Sequence, residues 1–194
     1  MNEAVTRVER PEDDYEGSWH IRLDAWMVLG TDEERSEAGP VEIVMEAEGE
    51  EPDAPPTDVQ LRQLDWLVAN QQALLDAILE TALRMYKGNR HDMVGDDEDD
   101  DDLPVLHTPT EIMPLLRPSM IYLNSLDGVE LPYVGIDMNC DWDPEHGLGL
   151  MFHGLEIVDV SGTQHLELHS ARSTHDHPWP AGHLPDPDGY GQYA

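Results

Sequence analysis

Between Thr57 and Gly88 the apolar residues recur at three- and four-residue intervals: Leu61, Leu64, Leu67 and Val68, then Leu74/Leu75, Ile78/Leu79, Ala82/Leu83 and Tyr86. That period is one face of an α-helix, and a stripe this broad must be covered by something equally apolar. Thr57 with Gln60 three residues on is a capping-box spacing, Lys87 and Gly88 form the expected stop, and Asn70 reads as a break or re-cap. Glu80 and Arg84 add an i,i+4 pair worth only about 0.2–0.5 kcal/mol. The rest of the chain must supply the surface this helix lies on.

Strand patterns on both sides supply it. Trp19, Ile21, Leu23 and Ala25 alternate with His20, Arg22 and Asp24, a period of two that predicts a half-buried strand within 19–29. Gly30 to Pro40 reads as a polar loop. A second strand is expected at Val41–Ala47, paired antiparallel with the first, and Glu48 to Pro56 as an acidic, Pro-rich linker.

Beyond the helix comes Asp96-Asp97-Glu98-Asp99-Asp100-Asp101-Asp102. Neighbouring charges about 7 Å apart in water repel by roughly 0.6 kcal/mol before screening, so the run resists folding and reads as a solvated loop. It lacks the glycine-spaced ligands of a calcium loop. Thr108, Pro109 and Glu111 then start a short second helix that Pro114 and Pro118 curtail. Asp127-Gly128 between Met120–Leu126 and Val129–Val134 predicts a two-residue hairpin, in which Ile121 faces Val134 and Leu123 faces Pro132. Along the same face follow Ile136, Met138, Cys140 and Trp142. Leu148, Leu150 and Phe152 alternate next, His153-Gly154 closes a hairpin onto Leu155–Val160, Ser161-Gly162 ends it, and a weak strand is expected at His165–His169.

The fold class that follows is α+β: a mostly antiparallel sheet of about five to seven strands packed against one main helical segment, with a short second helix. One domain over 17–169 is expected, with an acidic leader at 1–16, an inserted acidic loop at 88–103, and a His/Pro/Gly-rich flexible tail at 170–194.

Charge narrows the function. Against 42 acidic residues stand 10 basic ones, of which Lys87 is the only lysine, and the net charge is −32. Nucleic acid and anionic membrane are poor partners for such a surface; a basic protein is a good one, because complementary fields steer association. Salt adaptation is the alternative reading of the acidity. The first 17 residues hold no apolar run, and nothing in the chain is long enough and apolar enough to span a bilayer, so a cytoplasmic location is expected. A single cysteine, Cys140, leaves no intrachain disulfide and no Cys-rich zinc knuckle.

The densest chemistry is Asn139-Cys140-Asp141-Trp142-Asp143-Pro144-Glu145-His146-Gly147-Leu148-Gly149. Alternation sends Cys140 and Trp142 to the core, while Asp143, Pro144 and Gly147 suffice to build a turn. Asp141, Asp143, Glu145 and His146 fall on the polar side, where a carboxylate–His pair does acid–base work or holds a metal. Glu145-His146 reads either as a bonded clamp between two strands, the favoured reading, or as the one polar site the fold exposes. His165, Glu167, His169, His175 and His177 are residue types that take zinc, though an exposed strand edge and a polar tail explain them equally. There is no phosphate-cradling glycine loop, no nucleophile elbow and no basic-aromatic surface. No catalytic residue, metal or cofactor is assigned.

From Leu64 to about Gly162 the chain resembles an uncharacterised bacterial family, a domain of unknown function. The resemblance lies in Gly135, in the run Cys140-x-Trp142-Asp143-x-Glu145-His146-Gly147-x-Gly149, and in His153 and Gly162. The resemblance implies a helix, a variable loop, a short Pro-started helix and a sheet, in proteins found among the immunity-like members of bacterial toxin systems. The expected role is a non-catalytic acidic binding protein, of the immunity type, that covers a basic toxin. Its interaction surface is the acidic run Asp96–Asp102, with Trp142, Asp143, Glu145, His146, Gly147 and Gly149 as a binding or structural signature. A metal-dependent enzyme using Glu145 and His146, and a salt-adapted housekeeping domain, are the alternatives.

Overall fold

The computed structural model describes residues 18–37, 39–49, 55–93, 104–161 and 166–178. Six strands form one sheet in sequential order: β1 (Ser18–Ile21), β2 (Val41–Ala47), β3 (Leu116–Ser125), β4 (Tyr133–Cys140), β5 (Leu148–His153) and β6 (Glu156–Ser161). All neighbours are antiparallel except β2 and β3. Parallel neighbours need a long crossover, and the chain supplies it as helix α2 (Asp58–Met93), laid on the face that carries Ile43, Ile121, Leu123, Val134, Ile136, Leu150 and Phe152. The α+β expectation holds.

Helix α2 is continuous where Asn70 was expected to break it and Gly88 to stop it. Asn70 Nδ2 donates to the Trp66 carbonyl (2.8 Å), which keeps the side chain inside the helix. Gln71 answers a tertiary need: its Oε1 accepts from the Ala25 amide (2.9 Å), and its carbonyl accepts from the Trp26 indole (2.9 Å). Those bonds anchor a 3₁₀ helix, Asp24–Val28, where alternation predicted that the first strand continued; Trp26 and Leu29, three residues apart, both enter the core. Polar-loop residues 30–40 contain a short helix, α1 (Asp32–Glu37), started by Thr31 and Glu34, whose carboxylate accepts from the Thr31 amide (2.8 Å). Leu67, Leu74, Ile78, Ala82 and Tyr86 of α2 are wholly buried; full burial of each leucine or isoleucine is worth about 1.5–3 kcal/mol.

The short second helix is a 3₁₀ helix, Pro109–Leu115, whose start is held by the Glu111 carboxylate accepting from the amides of His107 (2.6 Å) and Thr108 (3.1 Å). The Asp127-Gly128 hairpin is not two residues long. Ile121 lies opposite Ile136 and Leu123 opposite Val134, a slip of two positions, and residues 126–132 form the loop. Gly128 takes a left-handed φ of 76° as a turn requires. Pro132 stays outside the ladder, so the connection lengthens. An even slip keeps every side chain on its expected face. Between β5 and β6 the turn is Gly154-Leu155, one residue later than expected.

The strand expected at 165–169 and the tail from 170 are corrected together: Leu168–Asp176 is a helix, α3. Its approach lies over the second face of the sheet, where Leu166 and Ala171 join Leu126, Tyr133 and Met151 in a smaller core. Asn124 Nδ2 donates to the Leu166 carbonyl (2.8 Å), Glu46 accepts from the Leu168 amide (2.7 Å), and Arg172 pairs with Glu48. Gly135 makes the seating possible, because a Cβ there would stand 2.6 Å from the Leu166 carbonyl oxygen. The leader 1–16, the acidic run Asp96–Asp102, Gly162, His165 and residues 179–194 lie outside the described residues.

Gly135→Ala is expected to destabilise the fold by about 1–3 kcal/mol, the usual cost of overpacking. Amide exchange should accelerate at 166–176 more than in α2, and urea unfolding with hydrogen exchange measures both.

Candidate functional site

The central turn, between Cys140 and Leu148, is built from its own short bonds. The Asp143 amide donates to the Cys140 carbonyl (3.3 Å) and the Gly147 amide to the Asp143 carbonyl (2.9 Å), and Gly147 leaves the turn at φ 63°. Trp142 is buried edge-on against Tyr86 of α2, with ring centroids 5.5 Å apart. Cys140 is buried too, and burial pushes its thiol up to about 12, which leaves no thiolate near neutral pH.

His146 is paired, but not with Glu145. Asp143 Oδ1 accepts from the His146 amide (3.2 Å) and meets the imidazole Nδ1 at 2.9 Å. This bond, with the Asp143 charge behind it, raises the imidazole above its ordinary pKa. Both His146 and Glu145 are exposed. The expected clamp is therefore internal to the turn, three residues apart, and Glu145 points its charge at solvent beside it. Gly149 follows in β5, directly across from Asp137 of β4.

Arg117 of β3 fastens this turn to the rest of the molecule. Its guanidinium takes the Asp141 carboxylate with both terminal nitrogens (2.5 and 3.2 Å) and Glu34 through Nε. The Arg117 bond leads the causes that hold the Glu34 carboxyl down at about 2, with the Thr31 bonds adding to it. The signal for Glu34 was in the sequence, as the Thr31-x-x-Glu34 capping spacing.

A second polar region lies on the sheet face opposite α2. Cross-strand pairing puts Glu42, Met120, Asp137 and Gly149 in one row and Val44, Tyr122, Gly135 and Met151 in the next. Burial, and then the fields of Asp137, Glu167, Glu46 and Glu42, raise the Tyr122 hydroxyl above its usual pKa. Burial alone pushes the Asp137 carboxyl up to about 6, and its Oδ1 is enclosed with no hydrogen-bond partner among the described residues. Alternation placed Asp137 on the polar face; its enclosure follows from long-range pairing, which no local pattern carries. Glu46 and Glu48 are committed to α3, whereas Glu42 and Asp137 are not.

The His/carboxylate set at the C-terminal end is not gathered on one strand: Glu167 occupies the N-cap position of α3 without a side-chain capping bond, and His169 lies in the first turn. His175 Nδ1 meets the Tyr133 hydroxyl at 3.0 Å, and Tyr133 stacks on His153 with centroids 4.4 Å apart. Among the described residues no three His, Cys, Asp or Glu side chains gather as a metal-holding group, and no helix is long and apolar enough to cross a membrane.

A family model described as a domain of unknown function (DUF6985) matches residues 19–167, from β1 to the cap of α3. No curated protein and no solved structure matches the chain.

The Asp143–His146 bond yields a direct expectation. A raised imidazole pKa means that its contribution to stability is present on the acid side and fades as pH climbs through the folded-state value. NMR titration of His146 should give a midpoint above that of an ordinary histidine, and Asp143→Asn should bring it down.

Proposed function

We propose that this chain, which belongs to the DUF6985 family, is a non-catalytic binding protein that receives a basic protein partner on its acidic surface. One observation carries the reading: Glu42 and Asp137 stand around the half-buried Tyr122 hydroxyl on the sheet face, with Asp137 Oδ1 enclosed and unpaired. A carboxylate with one oxygen shut away from water and without a donor is held at a cost in free energy, which a guanidinium or ammonium meeting the exposed part of Asp137 offsets. The net charge of −32 steers such a partner in.

The concrete form of the proposal is an immunity-type inhibitor that covers a basic toxin in the bacterial cytoplasm. The resemblance of the stretch from Leu64 to about Gly162 to a family that occurs among immunity-like proteins of toxin systems supports it, and so does the sign of the charge. In this reading Trp142, Asp143, Gly147 and Gly149 shape the turn and the sheet beside Asp137, and the Asp96–Asp102 run adds to the attracting field. The test is co-expression with the products of adjacent toxin-like genes. A complex that weakens steeply between low and high salt is expected, and the lack of any salt-sensitive complex with a basic effector overturns the proposal.

Asp137 makes it sharper. Its raised pKa means that the cost of burial builds up as pH rises from the ordinary carboxylate range to about 6 and is present in full above that. Asp137→Asn should therefore raise neutral-pH stability by about 1 kcal/mol after solvent screening is allowed for, with no gain below pH 4. The same variant should weaken the complex, and wild-type affinity should fall as pH drops through about 6; thermal melts and calorimetric titration across that range read both effects.

A further inference from the structure

A cleft of about 540 Å³ opens between the first turns of α2 and the loop joining β3 to β4. Its volume lies within the range of sites that enclose a small ligand or a few residues of a peptide. One wall is Val59 and Trp66 of α2; the other is Leu131 and Pro132 of the loop. Val59 is 41% exposed and Leu131 43%, although both are large and apolar. The apolar surface continues outward: the Gly154 amide donates to the Pro132 carbonyl (3.1 Å), Gly154 leaves just enough room for the Leu131 side chain, and Leu155 beside it is 49% exposed.

Gln63 also lines this cleft and is only 3% exposed. Its Oε1 accepts from the Ser125 hydroxyl, but its Nε2 is buried with no hydrogen-bond partner among the described residues. A buried amide donor without an acceptor is unfavourable, and polar groups in native interiors are nearly always paired. No acceptor for this nitrogen stands within reach among the described residues. Around the rim stand Asp127 and Glu130 against Arg62, while Glu48 is neutralised by Arg172, so the lining keeps a surplus of negative charge.

We infer that this cleft is a docking site for an extended peptide segment of a basic partner. One large apolar side chain lies between Val59, Trp66 and Leu131, a backbone carbonyl accepts from Gln63 Nε2, and flanking Lys or Arg side chains meet the rim carboxylates. The assignment deepens the proposed binding role and rests on it, yet it names a surface other than the Tyr122–Asp137 face. Hot spots of this kind combine an apolar anchor in a pocket with a desolvated polar bond and a charged rim.

The probe is a capped peptide with one central leucine flanked by arginines, titrated into the full chain while the side-chain amide signals of Gln63 and the amides of 125–132 are followed by NMR. Saturable shifts at Gln63 and along the loop are expected, with affinity falling roughly tenfold when the leucine is replaced by serine or when Val59→Ser is introduced. Replacing Gln63→Met together with Ser125→Ala removes both polar partners; the fold should stay as stable or gain, while peptide affinity drops. Equal binding of the leucine-free peptide, or shifts spread over the acidic surface with none at Gln63, overturns the cleft. Shifts centred on Tyr122 and Asp137 would do so while leaving the basic-partner reading in place, whereas peptide binding at Gln63 without any salt-sensitive protein complex would separate the two in the other direction.

Discussion

The architecture depends on the covering of one sheet face by α2. Because β2 and β3 are parallel neighbours, the chain must cross that face between them, and the crossing segment is the helix whose stripe from Leu64 to Tyr86 is buried. At about 1.5 Å per residue its 36 residues extend roughly 54 Å, longer than any of the strands it spans. The extra length has two consequences. Its N-terminal turns project beyond the core toward the β3–β4 loop and form a wall of the cleft there, and Tyr86 near the other end meets Trp142, so that the same helix holds the central turn.

Most of the central turn's side chains are accounted for by such attachments. Trp142 and Cys140 belong to the core, Asp141 is taken by Arg117, Asp143 is used in holding His146, and Gly147 supplies the left-handed exit. A segment that looks like an active site in one dimension becomes a well-bonded corner once its partners are known. Among the described residues the buried side-chain atoms without a hydrogen-bond partner lie elsewhere: Asp137 Oδ1 on the second face, Asn124 Oδ1 beneath the 166–176 segment, and Gln63 Nε2 beneath the cleft. Their unpaired atoms carry a cost that the crowding of charge along the chain does not, because a buried polar atom without a partner is unfavourable and solvated charge is not.

The second face carries the rest of the organisation. Gly135, Asn124, Glu46 and Glu48 seat the 166–176 segment over Tyr133 and Met151, with Tyr122 packed at its edge and the row through Glu42 and Asp137 beside it. Helix α3 thereby turns a half-covered sheet into one with helices on both faces, and its placement decides which carboxylates are engaged. Without it, Glu46 would be another free charge; with it, Glu46 closes the first turn of a helix.

Local chemistry was enough to determine much of this in the sequence. Period-two and period-3.6 patterns located β2, most of β4, β5 and β6, and the main helix; Thr57 with Gln60 marked its start, and Cys140 and Trp142 were assigned to the core. These are properties of a residue and its near neighbours, so they can be read one window at a time. Tertiary structure decided the rest. Gln71 is helical because Ala25 and Trp26 need its amide and carbonyl; residues 168–176 are helical because an apolar sheet face and the Glu46 carboxylate receive them; and the hairpin slips by two because Pro132 cannot join a ladder. Asp137 and Gln63 became notable for the same reason. Whether a polar atom is satisfied depends on groups dozens of residues away, such as Ser125 lying 62 positions from Gln63, and only the folded chain brings those groups together.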